Sequence, residues 1–525
     1  MHPCLRVDEI VRHVASELVA SKWEETVATF ARCCKSFEDP ALDALWETQH
    51  KLNPLLETFP EDVWNYQCDV GVPMISALYS LNHSFLQSFE RLPTELEWAR
   101  FRGYARRIRA FKGHRPFNLP SQVHSVLHFR AFSEPLFPNL RSLELTCVAE
   151  DLIPFIPLFL SPRTTSVHLG CEREIPEVVI ASMVITFPTL CPNLQSICLH
   201  SLLRDPVITA AVSEMLLTTN RNTLQKFNAE SPLTEKATKV ICELPDLHEL
   251  WLTIDRSGSL PTLALPNLTA IRVTYGHDHG WLQGFRRATL GKLTSVAFYS
   301  DYDPTDDFLE AFESVALTTS IPATLSEFKF STSWSWRPNY HSLLPFAQLR
   351  RLIIEFICED RCSSTIDDDI VVDLARAMPK LEILCIGRIP CETPTGVTAK
   401  GLAALAHYCP RLSELCIHFQ VAGLDPSTIP QAASSGESTM PREDCALTCL
   451  HAGFVLLPEE SILTVTQALL HIFPRLYEIR SFGGGWDKVE HAIRASRRLA
   501  NHSSKKHPFA TPRSNVEDTP PRSYA

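Results

Sequence analysis

One motif recurs along the chain from residue 137 onward, and it constrains the fold more than any other feature of the sequence. It reads Phe, Leu or Cys followed by Pro-x-Leu-x-x-Leu-x-Leu, and polar, loop-like sequence comes after the copies. The plainest copies are Phe137–Leu145, Cys191–Leu199 and Leu244–Leu252. The last two leucines of a copy alternate as in a short β-strand, while the first turns in ahead of them. One such strand cannot bury its own apolar face, so the copies are predicted to stack as a solenoid.

The spacing of the copies indicates the class of solenoid. Further copies begin near Leu268, Leu293, Leu325, Leu349, Leu381, Leu412, Leu447 and Leu476, and degenerate copies lie at Thr164 and Leu224. Successive copies lie roughly 21 to 35 residues apart, close to the period of about 20–29 residues in leucine-rich repeats or somewhat longer. The prediction is an α/β fold, a leucine-rich-repeat solenoid with a curved parallel sheet and outer helices. The alternative is a set of unrelated amphipathic strands in an α/β domain, which the recurrent Pro before the first leucine disfavours.

Residues 1–50 differ from the rest because their apolar positions follow the period of a helix. Three helices are predicted, with apolar positions at Val7, Ile10, Val11, Val14 and Leu18, then at Val27, Phe30 and Ala31, then at Ala41, Leu42, Leu45 and Trp46. Pro40 is expected in the first turn of the third helix, with Asp39 as its cap. A unit of this size is marginally stable alone and gains from a partner that covers its exposed apolar stripe.

Composition divides the remainder of the chain. Residues 51–135 are predicted as a helical linker, and residues 136–486 as the repeats. A stretch near residues 425–444 is rich in Pro, Ser and Thr, and it is predicted as a disordered insertion between two repeats. Residues 487–525 are predicted as a C-terminal extension that is largely disordered.

Charge and cysteine usage limit the partners and the compartment. The net charge is −11, so the chain has no basic excess for binding a phosphate backbone, and nucleic acid is not an expected partner. Many of the 17 cysteines occupy repeat positions where a small apolar residue packs, which is typical of free thiols in a reducing compartment. Neither a signal-peptide pattern nor a run of about 18 apolar residues is found. We expect an intracellular protein, cytoplasmic and/or nuclear, with no membrane partner.

The order of these parts resembles that of F-box proteins of the leucine-rich-repeat class, most closely the large fungal families. The resemblance is carried by Thr29–Trp46 ahead of the repeats and by Val397–Leu415, which is similar to the cysteine-containing repeats of that class. It implies that the helices dock on the Skp-type adaptor of a cullin-RING (SCF-type) ubiquitin ligase, and that the repeats bind the substrate protein. The adaptor-binding residues are then Leu5, Ile10, Val14, Phe37, Leu42 and Leu45. The alternative for each is a place in the core of the three-helix unit.

Strand alternation predicts which side chains of the repeats face a substrate. If the leucines of a strand point inward, the residues between them lie on the concave face. The predicted substrate-binding set is Glu249, Trp251, Arg272, Tyr299, Lys329, Arg351, Ile353, Glu355, Glu414 and His418. Trp251 is the strongest single candidate, because large aromatic side chains are common binding hot spots. The alternative is a tryptophan covered by a neighbouring loop.

The sequence contains no motif that is typical of an enzyme or of a cofactor site. A phosphate-cradling loop, a Gly-x-Ser-x-Gly elbow and a His-Glu-x-x-His motif are missing, so we expect neither catalysis nor a cofactor. His277–His279 and the pair Cys358 and Cys362 lack the further ligands of a zinc site, and no metal is expected. Asp367–Asp369 is predicted to cap a helix rather than to hold a cation.

The main alternative function is a leucine-rich-repeat scaffold whose N-terminal helices only cap the solenoid. The two functions differ at one point. An F-box leaves an apolar stripe on its helices for the adaptor, whereas a cap buries that stripe against the first repeat.

Overall fold

Parallel strands form the framework of the chain. The computed structural model describes residues 7–66, 86–114, 121–130, 134–172, 174–200, 204–254, 260–276, 279–286, 288–302, 304–334, 336–356, 366–387, 396–421, 424, 445–453, 457–481 and 483–504. The chain divides into two units, unit 1 (Met1–Leu325) and unit 2 (Ser326–Ala525). No helix within the described ranges is long and apolar enough to cross a lipid bilayer.

Most strands of unit 1 are neighbours in one parallel sheet in the order of the sequence. The strands of this unit are β1 Thr48–Gln49, β2 Trp64–Tyr66, β3 Leu86–Phe89, β4 Ala110–His114, β5 Ser142–Val148, β6 Ser166–Cys171, β7 Ser196–His200, β8 Lys226–Ala229, β9 Glu249–Ile254, β10 Ala270–Tyr275 and β11 Ser295–Ser300. β2 and β3 pair antiparallel with each other. The others form a parallel sheet in the order β1, β4, β5 and onward to β11. Parallel neighbours in sequence order are what one strand per repeat produces.

Helices occupy much of the chain between these strands. In unit 1 they are α1 Asp8–Ala20, α2 Glu24–Cys33, α3 Lys35–Glu47, α4 Asn53–Leu56, α5 Glu95–Ala105, α6 Ser121–Arg130, α7 Ile156–Phe159, α8 Glu177–Leu190, α9 Pro206–Thr218, α10 Glu235–Ile241, α11 Phe308–Ala316 and α12 Ile321–Thr324. Helices of successive repeats pack side by side, as α8 and α9 do.

Unit 2 repeats the arrangement. Its strands are β12 Glu327–Thr332, β13 Arg351–Glu355, β14 Ile383–Ile386, β15 Glu414–Ile417, β16 Cys449–Gly453 and β17 Glu478–Ser481, and its helices are α13 Asp368–Ala377, α14 Ala399–Tyr408, α15 Ile462–Ile472 and α16 Trp486–Ser504. Each strand pairs parallel with the next one in sequence.

The apolar residues at the leucine positions of the motif form a buried ladder across neighbouring strands. Leu143 is in register with Val167, which is in register with Ile197, and all three side chains are fully buried. The leucine after the Pro is buried as well, as Leu140 and Leu194 show. Burying a side chain of this size contributes about 1.5–3 kcal/mol, so a ladder that continues through the repeat strands is a large part of the stability. The predicted α/β leucine-rich-repeat fold is confirmed.

The sheet begins earlier in the sequence than the motif does. β4 lies within residues 51–135, which were expected to be a helical linker, and it pairs with β5 so that Phe111 lies opposite Leu143. The ring of Phe111 is buried and stacks on Phe137, with 5.6 Å between centroids. An aromatic residue therefore takes the place of the ladder leucine in this strand. The pattern did not reveal the strand because it lacks the Pro-x-Leu signature.

The N-terminal unit consists of three helices, as predicted. α1, α2 and α3 pack around a small core of Ala15, Val27, Ala41 and Ala44. The predicted start of the third helix at Pro40 is wrong, since α3 begins at Lys35 and contains Pro40 in its interior. The earlier start brings Phe37 onto Phe30, where the two rings stack with centroids 4.5 Å apart.

The C-terminal boundary also differs from the prediction. Residues 486–504 form α16 rather than the start of a disordered extension. Trp486, Val489 and Ile493 are buried, and the Glu490 carboxylate accepts a hydrogen bond from the backbone N–H of Ile479 in β17. α16 therefore covers the last strand of unit 2.

Some sequence predictions fall outside the described residues. These are the site residue Leu5, the insertion near 425–444, residues 505–525, His277, Asp278, Cys358 and Cys362.

Candidate functional site

An apolar stripe on α1 is exposed to solvent. It consists of Val7, Ile10 and Val14, which are 42%, 40% and 37% exposed. Ile10 and Val14 are four residues apart and share one side of the helix. The adjoining side of α1 is buried through Val11 and Ala15, each about 100° around the helix from the residue before it. We call Val7, Ile10 and Val14 the α1 stripe.

The remaining predicted adaptor residues lie deeper. Phe37 is buried against Phe30 and belongs to the packing of the unit, which is the alternative stated for it above. Leu42 and Leu45 are half-buried, and Leu45 packs against the core of the three helices. Trp23, just before α2, is 59% exposed and was not singled out from the sequence. Among the described members of the predicted set, Ile10 and Val14 are the most exposed.

Charged side chains join α3 to the segment between α5 and β4. Arg107 donates hydrogen bonds to the carboxylates of Asp39, at 2.6 Å, and of Asp43. Arg12 on α1 donates to the same Asp43 at 2.9 Å. Close to this network the ring of Trp46 lies 4.8 Å from that of Tyr104. α3 therefore attaches the helical unit to the sheet region. The side chains of the α1 stripe take no part in these ion pairs and ring contacts.

The second candidate surface is the side of each sheet opposite the buried ladder, which we call the open strand face. In unit 1 its central row runs in register through Glu144, His168, Cys198, Asn228, Trp251 and Arg272. These side chains are half-buried or exposed, whereas their neighbours in each strand belong to the ladder. The alternation predicted from the sequence is present.

Trp251 is held in place by its neighbours on this face. Its ring stacks on Tyr299, with centroids 5.6 Å apart, and the Arg272 guanidinium lies 5.5 Å from its centre. Its indole N–H donates to the Thr274 hydroxyl at 3.1 Å. Strand side chains, rather than a loop, make these contacts. A rigid, half-buried aromatic of this kind suits a binding hot spot because little conformational entropy is lost on binding.

The charged members of the predicted set mostly meet opposite charges within their own unit. Glu249 pairs with Lys226 at 2.6 Å in unit 1. In unit 2, Lys329 pairs with Glu355 at 3.0 Å, Arg351 approaches Glu327 at 3.5 Å, and Arg480 approaches Glu414 at 3.8 Å. The Glu414 carboxylate also lies 2.8 Å from the His451 ring. Ile353 and His418 are half-buried. The open strand face therefore carries both acidic and basic side chains, and most of them form ion pairs with each other within one unit.

A cluster of metal-ligand residue types was missed by the sequence reasoning. His168, Cys198 and His200 lie together on the open strand face of unit 1, beside Trp251, whose ring centre is 5.7 Å from that of His200. Burial raises the pKa of the Cys198 thiol, but hydrogen bonds with His168 and His200 outweigh it and lower that pKa to about 7. Hydrogen bonds with Cys198 and Glu230 raise the pKa of His200 to about 9. A similar cluster, Glu414, Cys449 and His451, lies in unit 2.

Unit 1 also contains a pocket of about 290 Å³. It is lined by Trp98, Phe101, Arg102, Arg106, Arg130, Glu134, Pro135, Leu136 and Pro138. The Arg130 guanidinium donates to Glu95 at 2.6 Å, and Arg106 approaches Glu134 at 3.8 Å. These lining residues include no Ser, Cys or His, and the carboxylate among them, Glu134, lies close to Arg106.

Comparison with known proteins adds little about function. No protein-family model and no curated protein matches the chain. The chain is similar to a solved structure of the Rad7 and Elc1 complex in yeast, with a TM-score of 0.35 and 14% identity over 73% of this chain and 96% of that chain. It is also similar to a protein from Bacteroides fragilis, with a TM-score of 0.27 and 9% identity over 54% of this chain and 67% of that chain. Both similarities are too low to support a function.

Proposed function

We propose that the chain is an F-box-like leucine-rich-repeat substrate receptor of a cullin-RING ubiquitin ligase. In this role α1–α3 dock on a Skp-type adaptor, and the open strand face binds a substrate protein. The observation that carries the proposal is the exposed α1 stripe, because an apolar helix side left in water is typical of a docking surface. The order of parts, with a short helical unit ahead of leucine-rich repeats, supports the same role.

The mechanism is one of proximity rather than bond making. A receptor that holds a substrate near a ubiquitin-loaded enzyme raises the effective concentration of the substrate lysines. Such a receptor needs a stable scaffold and two separate binding surfaces. The ladder supports the scaffold, while the α1 stripe and the Trp251 region supply candidate surfaces.

A second candidate function is a scaffold in which the helices only cap the solenoid. The attachment of α3 favours it in part, since α3 leads directly into β1, and Arg107 joins α3 to the sheet region. Capping by α3 leaves the α1 stripe unexplained, because a cap gains nothing from apolar side chains that stay in water. Adaptor docking accounts for both features, with α3 as the attachment and α1 as the contact.

The test is the affinity of the purified chain for a Skp-type adaptor, compared with that of the double variant Ile10→Ala/Val14→Ala. About two-fifths of each side chain is exposed and available for burial. Full burial of such side chains contributes about 1.5–3 kcal/mol each, so the two together supply about 1.2–2.3 kcal/mol. The dissociation constant should therefore rise about 7- to 50-fold in the double variant.

The matched control is Val178→Ala, which removes an exposed valine from α8, a helix of the repeats. It should leave the affinity unchanged, and circular dichroism should show that all variants are folded. If the unmodified, folded chain does not bind the adaptor, the receptor function is excluded and the capping scaffold is the remaining candidate. If the control loses as much adaptor affinity as the double variant, the α1 stripe is not the surface that contacts the adaptor.

A further inference from the structure

We propose that His168, Cys198 and His200 form a zinc site on the open strand face of unit 1. The site is independent of adaptor docking, so its test does not depend on the proposed function. It also goes against the sequence-based expectation that the chain holds no metal.

The fold itself brings the three side chains together. Cys198 and His200 are two residues apart on β7, so they lie on the same side of the strand. His168 on β6 is the register partner of Cys198, and neighbouring strands are about 4.8 Å apart. All three side chains are half-buried, which keeps them accessible to an ion from solvent.

The distances between donor atoms are close to those that Zn²⁺ requires. The ligand atoms of the three residues all lie within 4.8 Å of one another, and the Cys198 Sγ is 3.0 Å from the His200 Nε2. With bonds of about 2.3 Å to sulfur and 2.0–2.1 Å to nitrogen, ligand atoms around a tetrahedral Zn²⁺ are about 3.3–3.6 Å apart. Shifts of roughly an ångström, within reach of side-chain rotation, would complete the coordination.

Neighbouring groups orient the ligands as they do in known zinc sites. The Nδ1 of His200 lies 3.2 Å from the Glu230 carboxylate, and this contact directs Nε2 toward Cys198. Metal-binding histidines usually give their other ring nitrogen to a carboxylate in this way. The Asn228 amide donates to the Cys198 Sγ at 3.0 Å and steadies the sulfur. The arrangement therefore includes the outer hydrogen-bonding partners as well as the ligands.

The chemical nature of the three ligand atoms indicates which metal ion the site would bind. One thiolate and two imidazoles suit Zn²⁺, whereas Mg²⁺ and Ca²⁺ prefer oxygen ligands. Three protein ligands leave one position of a tetrahedral ion for an exchangeable ligand. The ring of Trp251 lies 5.7 Å from that of His200, so a protein bound at Trp251 would be near enough to supply that ligand.

The test is titration of the chelator-treated full chain with Zn²⁺, followed by calorimetry, and with Co²⁺, followed by absorbance. We expect a thiolate-to-cobalt charge-transfer band in the near ultraviolet, and visible bands of tetrahedral intensity. Cys198→Ser should abolish the charge-transfer band of this site and weaken Zn²⁺ binding there by more than about 100-fold. Glu230→Ala should weaken it by about 10- to 100-fold, the usual effect of losing an outer partner.

The matched control is Cys449→Ser, which alters the similar cluster in unit 2. It should leave the affinity of the His168, Cys198 and His200 site unchanged, and circular dichroism should show that every variant is folded. Zinc binding that is lost in Cys449→Ser but kept in Cys198→Ser would overturn the proposal. So would the absence of Zn²⁺ binding at micromolar concentration, or binding of Cu²⁺ without binding of Zn²⁺.

Discussion

Asp368 is expected to stabilise unit 2 much more than either of the aspartates beside it. Its carboxylate accepts hydrogen bonds from the Thr398 N–H at 2.8 Å, the Gly401 N–H at 2.9 Å and the Thr398 hydroxyl at 2.6 Å. Asp368 thus connects the start of α13 to the start of α14 in the next repeat. Hydrogen bonds to a charged group contribute about 1.5–3 kcal/mol, but Asp368 is half-buried and water can replace part of each bond. At roughly 1 kcal/mol for each bond, Asp368→Ala should cost about 3 kcal/mol.

The two neighbours serve as internal controls. Asp367 caps α13 through one hydrogen bond, from the N–H of Ile370 at 3.0 Å, and its loss should cost about 1 kcal/mol. Asp369 makes an exposed ion pair with Lys400 at 3.0 Å, and such pairs contribute about 0–1 kcal/mol, many of them nothing measurable. Three adjacent residues of one type are therefore expected to give three different losses of stability.

Native-state hydrogen exchange measures these losses locally. The free energy of opening should fall by about 3 kcal/mol for the amides of α14 in Asp368→Ala, and by about 1 kcal/mol for those of α13 in Asp367→Ala. Asp369→Ala should match the unmodified chain. If Asp369→Ala lowers the free energy of opening as much as Asp368→Ala does, the hydrogen bonds of Asp368 are not the source of the stability. A loss below about 1 kcal/mol for Asp368→Ala would do so too, because solvent would then replace its bonds almost fully.

Three further predictions concern single positions. A Cβ on Gly401 would lie 2.6 Å from the Asp368 carboxylate, so Gly401→Ala should destabilise α14 by about 1–3 kcal/mol. If Gly401→Ala destabilises α14 by the same amount in an Asp368→Ala background, the clash with Asp368 is not the cause. Phe37→Ala should cost about 3 kcal/mol in thermal unfolding of the helical unit, whereas Trp23→Ala, at an exposed position, should change it little. The Arg91 guanidinium lowers the pKa of Glu97 from 4.5 to about 2, so this carboxylate stabilises the fold fully above pH 4.5 and loses that effect as the pH falls toward 2. A pKa near 4.5 in an NMR titration would contradict the last prediction.

The fold was predictable because its signal is local and repeated. The alternation of Leu143 and Leu145 requires a strand with one buried side, and the recurrence of the motif requires that such strands stack. β4 carries no such signature, since Phe111 substitutes for a ladder leucine there. Its place in the sheet depends on packing against Phe137, which no short sequence window contains.

The adaptor surface was predictable only in part. The helical period identified both Ile10 and Val11 as apolar positions of α1, but the period alone does not say which of them faces the other helices. In the structure Val11 is buried and Ile10 is exposed. The resemblance gave Phe37 as an adaptor contact, with a place in the core as the alternative, and in the structure Phe37 stacks on Phe30 inside the unit.

The sequence by itself determined the class of fold, the three N-terminal helices and the alternation of strand side chains, because these follow from periods of two, of about 3.6 and of one repeat. Only the tertiary structure decided which side chains meet across repeats. His168 and Cys198 become neighbours, and Asp368 reaches Thr398, because parallel stacking places residues one repeat apart side by side. The physical reason is that register between strands is set by the packing of the whole ladder, and no single repeat contains that information.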